Sequence, residues 1–186
     1  MLAMLTMACS EPPHKEMHQA QGALDAARAA GAETFANAEY RDAQQALNQS
    51  EQAVTQRDYR LALRYALDAR ERAQEAARAA ADNKAEARSK AERAVLAIEA
   101  AIRGADARLQ AARAARVKPR DMMPARRATE AARDTLQKAR AAMEKEAYLD
   151  VPGIVEPAQV QLAEALRDLR GRQTAHQPAR PARRPR

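Results

Sequence analysis

From His14 to Lys118 the chain contains no proline, and its only glycines there are Gly22, Gly31 and Gly104. Apolar residues recur through this run at spacings of three and four. A long segment with that period and without strong breakers reads as helix, not strand. Most of the apolar residues are alanine, which favours helix but buries little surface. Cores built from such helices are thin and depend on close backbone approach. Phe35, Tyr40, Tyr59, Tyr65 and Tyr148 are the only aromatic residues, and tryptophan is absent. So few aromatic side chains argue against a ligand pocket, since such pockets are usually lined by apolar and aromatic groups.

The period and the stop signals divide the run. A first helix is predicted from about Pro13 to Ala30, with Gly31 as its C-terminal stop. A second begins near Thr34 or Asn37, either of which can cap it, and ends near Thr55. Asp58 is an N-cap for a third helix. In that helix, small or apolar residues fall at Tyr59, Ala62, Ala66, Ala69, Ala73, Ala76 and Ala80, alternating steps of three and four. This is the seam of helices packed at shallow angles. It then meets Asn83 and Lys90 within a charged stretch, 82–93, where no partner helix is expected. It resumes at Ala94, Ile98, Ala101, Ala105, Leu109 and Ala112. Nothing forces a break between about 58 and 116, so one helix of about 58 residues, about 87 Å long, is predicted.

The sequence also repeats. Leu24-Asp-Ala-Ala-Arg-Ala-Ala30 matches Leu109-Gln-Ala-Ala-Arg-Ala-Ala115 at an offset of 85 residues. Leu47, Val54 and Tyr59 match Leu136, Met143 and Tyr148 at an offset of 89, and Ala69 and Ala76 match Ala158 and Ala165. A four-residue insertion in a linker over 116–124 accounts for the change. Repetition at a fixed offset implies stacked helical units. The predicted fold is therefore all-α, with two tandem antiparallel units of about three helices each sharing the long helix. The first unit spans 10–82, a polar linker helix 83–93, and the second unit 94–170. Pro152 and Gly153 predict a loose start to the last helix, and Gly171 its end near Arg170.

Charge is unevenly placed. The chain carries a net +7, and removing Arg172, Arg180, Arg183, Arg184 and Arg186 leaves +2 over residues 1–170. Residues 171–186 hold those five arginines, several prolines and no acid, a composition expected to be disordered. A polyanion would be attracted to these arginines by counterion release. The nearly balanced body weakens any nucleic-acid reading of the chain as a whole.

The chain opens Met-Leu-Ala-Met-Leu-Thr-Met-Ala-Cys-Ser, and Cys9 is its only cysteine. An apolar run ending at a small residue before cysteine resembles the end of a bacterial lipoprotein signal, so Cys9 is the expected lipidation site. The basic leader is missing and Leu5 lies four places before the cysteine instead of three. Residues 1–9 are therefore read as the remnant of a signal that starts upstream of Met1. Ser10, where aspartate would retain a lipoprotein at the inner membrane, favours the outer membrane. A single cysteine excludes an intrachain disulfide and a Cys-based zinc site. No later segment is apolar enough to span a membrane.

Four features together resemble a bacterial family designated domain of unknown function 4398. They are a lipoprotein-type start, the break Ala30-Gly31-Ala32, an Ala-rich second helix with Ala43 and Leu47, and Asp58-Tyr59 ahead of Ala62, Ala66 and Ala69. The resemblance covers roughly 15–90, with a weaker second copy in 94–170. It implies an envelope location and a helical shape, and no established activity. Some members carry a peptidoglycan-binding domain of the OmpA type, which is not read here.

Candidate chemistry is sparse. His14 and His18 share a helix face, but Lys15 replaces the glutamate a metalloprotease would need and no third ligand is evident, so neither metal nor cofactor is expected. Tyr59 and Tyr148 read as fillers of corners between Ala-lined helices. The Arg and Glu pairs read as solvated helix faces, since no cleft is evident to tune them for catalysis. The expected function is a non-catalytic lipoprotein at the bacterial cell envelope, on the periplasmic face of the outer membrane. It would serve as a helical structural or adaptor module with an envelope protein or anionic polymer as partner. The alternative is a cytosolic nucleic-acid-associated protein using the same arginine tail. The sequence leaves open whether a second copy completes the thin alanine seams.

Overall fold

The computed structural model describes residues 11–175, with side chains through Arg172. Cys9, the signal remnant 1–9 and Arg180, Arg183, Arg184 and Arg186 lie outside the described residues. The described residues are all-α, as the periodicity predicts. They form α1 (His14–Ala29), α2 (Ala32–Phe35), α3 (Asn37–Thr55), α4 (Tyr59–Ala114), α5 (Pro119–Glu144) and α6 (Val151–Ala175). The chain divides into two compact units, Met1–Glu86 and Ala87–Arg186, so α4 contributes residues to each.

In the first unit α1 packs against α3, and α2 touches both. Ala69, Ala73, Ala76 and Ala80 of α4 close the core against Ala20, Leu24, Tyr40 and Leu47. The predicted seam is visible as Ala62, Ala66, Ala69, Ala73, Ala76 and Ala80, every one fully buried. Alanine here lets the helices approach closely, and the remaining polar group at the α3–α4 crossing is satisfied. Ser50 is buried and its hydroxyl donates to the Ala62 carbonyl at 2.8 Å. Asp58 caps α4 as expected, accepting from the Leu61 amide at 2.9 Å.

In the second unit α5 runs along α6. As residue numbers fall on α4 they rise on α5, since Asp106 meets Arg133 and Glu99 meets Arg140. That is an antiparallel pair. Ile98 of α4 and Val151, Val155 and Leu162 of α6 are the largest fully buried apolar side chains of this unit.

The turns show the repeat in the backbone. Arg57, Arg116 and Glu146 adopt positive φ (59°, 59° and 56°), as does Gly31 (89°). Gly31 and Arg116 are 85 residues apart, and Arg57 and Glu146 are 89 apart, the same offsets as in the side-chain pattern. At Arg57, amide bonds run from Arg57 to Val54 and from Asp58 to Ala53, each 2.9 Å. Arg116 and Val117 bond Arg113 and Ala112 in the same way, and Glu146 and Ala147 bond Met143 and Ala142. Each is a Schellman-type close, which satisfies carbonyls the helix end leaves unpaired.

Several boundaries differ from the sequence reading. The segment after Gly31 forms α2, and α3 starts after Ala36 (φ −145°) with no side-chain N-cap. Asn37 instead closes α2 by donating to the Glu33 carbonyl at 2.9 Å. The polar stretch 82–93 does find partners. Asn83 donates to the Phe35 carbonyl at 2.7 Å, and Ala87 and Ala91 are buried. The seam passes Lys90 by stepping from Ala87 to Ala91. The supposed linker 116–124 is mostly helix, because Pro119 occupies the first turn of α5, where its missing N–H costs nothing. Lys118 before it is extended (φ −58°, ψ 136°), as a residue ahead of proline prefers. Finally, α6 continues through Gly171 to Ala175, so the predicted end near Arg170 falls short.

Candidate functional site

Each unit has a groove between its first two long helices, and the two grooves occupy the same place in the repeat. In the first unit the groove lies between α1 and α3 and is lined by Gln21, Leu24, Arg28, Tyr40, Gln44 and Asn48, enclosing about 320 Å³. In the second it lies between α4 and α5 and is lined by Asp106, Leu109, Arg113, Arg126, Thr129 and Arg133, enclosing about 370 Å³. Leu24 and Leu109 form the floor on one side, 85 residues apart. Tyr40 and Thr129 are equivalent on the other side, 89 residues apart.

What fills the shared frame differs. In the first groove Arg28 lies over the Tyr40 ring, its guanidinium carbon 5.8 Å from the ring centre. It also pairs with Glu33 at 2.9 Å and with Asp25 at 3.7 Å. The hydrogen bond to Glu33 is the main reason its pKa is raised above the ordinary arginine value. The Tyr40 hydroxyl is buried and has no hydrogen-bond partner among the described residues. In the second groove Thr129 replaces the tyrosine and turns its hydroxyl onto the Ala125 carbonyl of its own helix at 2.7 Å. Gln21 and Gln44 of the first unit become Asp106 and Arg133 in the second. There one guanidinium nitrogen of Arg133 contacts both carboxylate oxygens of Asp106 at 2.8 Å. Arg133 also donates to Glu130 at 2.6 Å. Its pKa is raised, chiefly by the Asp106 hydrogen bond, against a smaller opposing effect of desolvation.

The residues singled out from sequence fall elsewhere. His14 and His18 are exposed on the first turns of α1. Among the described residues no group of three or more His, Cys, Asp or Glu is placed to hold a metal ion. Tyr59 opens α4 half-buried, and Tyr148 is buried in the turn before α6, so both sit at helix corners. Arg172 is separated from the other tail arginines, because it lies in α6 and pairs with Asp121 at 3.2 Å. Among the described residues no helix is long and apolar enough to cross a membrane.

Sequence reasoning missed the grooves because it aligned the repeat on apolar residues alone. The signal was present in the polar ones. Carrying the offsets of 85 and 89 onto Gln21 and Gln44 lands on Asp106 and Arg133, an exchange of two amides for an opposite-charge pair.

Residues 15–93 match the family model described as domain of unknown function (DUF4398). The match therefore covers the first unit and the start of the second, and it agrees with the family the sequence features indicated. No curated protein matches the chain. No solved structure matches it.

Proposed function

We propose that this chain is a bacterial cell-envelope lipoprotein, acylated at Cys9 and held at the periplasmic face of the outer membrane. It acts as a non-catalytic helical adaptor or structural module. The observation that carries this reading is the apolar run 1–8 ending at Ala8, directly before Cys9 and Ser10. Only four residues then separate Cys9 from the first helix at His14, a short tether for an anchored domain. The arginines at 180, 183, 184 and 186 provide the contact with an anionic envelope surface or polymer.

The test is acylation. The gene is expressed with its native upstream reading frame, labelled with a palmitate analogue, and compared with Cys9→Ala in membrane and soluble fractions. The reading requires label and membrane residence in the wild type and loss of both in the variant. A soluble, unlabelled wild type overturns it and makes nucleic-acid binding by the arginine tail the next question.

A further inference from the structure

We propose that the groove of the second unit is an oxyanion-binding site, taking a phosphate or carboxylate group between Arg113 and Arg126. This goes beyond the lipoprotein reading and depends neither on the anchor nor on the arginine tail. Three arginines and two acids line the groove. Arg133 engages both acids, Asp106 through two contacts of 2.8 Å and Glu130 at 2.6 Å. Among the described residues Arg113 and Arg126 then have no carboxylate partner, although both line the same space of about 370 Å³. The three arginines outnumber the two acids, so the groove carries a net positive charge, and Arg113 and Arg126, on its two facing helices, are the guanidinium groups outside the Arg133 cluster.

Guanidinium groups in that position suit an oxyanion, which accepts paired N–H bonds from each planar fork. Helical side chains lean toward the N-terminus of their helix, so Arg113 reaches back along the groove, away from the terminal carbonyls of α4. Thr129 keeps the floor open, because its side chain is small and its hydroxyl is turned onto the Ala125 carbonyl.

The first unit is an internal control. Its counterpart of Arg113 is Arg28, already paired with Glu33 and Asp25 and seated on Tyr40. Its counterpart of Arg126 is Asn37, which donates to the Glu33 carbonyl. No unmatched cation lines that groove.

The test is an NMR titration of the full chain with inorganic phosphate and, separately, with acetate, following the arginine Nε–H signals. The proposal expects saturable shifts at Arg113 and Arg126, no comparable shift at Arg28, and binding about tenfold weaker in Arg113→Gln/Arg126→Gln. Both residues are exposed, so the double variant keeps its helices. A second variant tests the sorting directly. Arg133→Gln frees Asp106 and Glu130 to compete for the two arginines, and it too weakens binding. Tighter binding of phosphate than of acetate identifies the ligand as phosphate-bearing, and the reverse order as carboxylate-bearing. Shifts spread evenly over exposed arginines, Arg28 included, overturn the site. So does binding unchanged in Arg113→Gln/Arg126→Gln, which would assign anion uptake to the tail.

Discussion

The two units share one set of helix positions and fill them differently. Among the described residues, thirteen of the sixteen buried apolar residues in the first unit are alanine, against eight of eighteen in the second. The contrast is sharpest where one seam can be read against its copy. Ala62, Ala66, Ala73 and Ala80 on α4 correspond, at an offset of 89, to Val151, Val155, Leu162 and Leu169 on α6. A helix lined by alanine approaches its neighbours closely and gains little from burial. One lined by valine and leucine stands further off and removes more apolar surface from water. The same backbone turns and the same offsets therefore support a thin core in one unit and a thicker one in the other.

The largest expected effect comes from exchanging the fillings at one equivalent pair. Leu162→Ala opens a cavity in the second unit and should cost about 2–5 kcal/mol. Ala73→Leu forces a large side chain into a seam with no space for it and should cost about 1–3 kcal/mol. Denaturant unfolding of each variant checks both values. If Ala73→Leu were neutral, the first unit would not be close-packed and the comparison would fail.

Ser50→Ala should come next, at about 1 kcal/mol, for loss of the buried bond to the Ala62 carbonyl. Its counterpart, Ala139, is already alanine, so Ala139→Ser in the second unit should give no gain, a difference measurable by thermal unfolding. Arg133→Ala breaks the groove pair with Asp106, but the side chains are 42% and 40% exposed. Solvent screening should therefore hold the loss below about 1 kcal/mol, and 1 M salt should reduce it further. The smallest effect is predicted for Tyr40→Phe. The hydroxyl is buried without a partner among the described residues, so its removal should leave stability within about 0.5 kcal/mol of wild type or raise it. A loss near 2 kcal/mol would mean that the hydroxyl has a partner in solution.

The five long helices were legible because alanine seams keep their period over long distances, whereas the four-residue α2 is too short to show one. The course of α4 follows from steps of three and four between Ala62 and Ala80, and its start from Asp58. The boundaries that shifted are those set by tertiary partners. Asn83 looked like a polar interruption because its partner, the Phe35 carbonyl, lies 48 residues away. Arg172 looked like part of a tail until Asp121, 51 residues away, drew it onto α6. Pro119 marks a loop or the start of a helix equally well, and only the extended Lys118 before it decides. The grooves were hidden for a related reason, because a polar residue's role depends on which other polar residue faces it. Arg113 and Arg28 sit at the same position of the repeat, and only their neighbours distinguish a paired cation from an unmatched one.

The most direct test of this account is residue-resolved amide hydrogen exchange on the full chain. Core helices open at the free energy their packing confers, so the two fillings should be separable under one set of conditions. The account predicts slower exchange along α5 and α6, around Ala139 and Leu162, than along α1 and α3, around Leu24 and Ala46. Equal protection in the two units, or stronger protection in the first, would contradict the claim that one helical frame carries a thin core and a thick one.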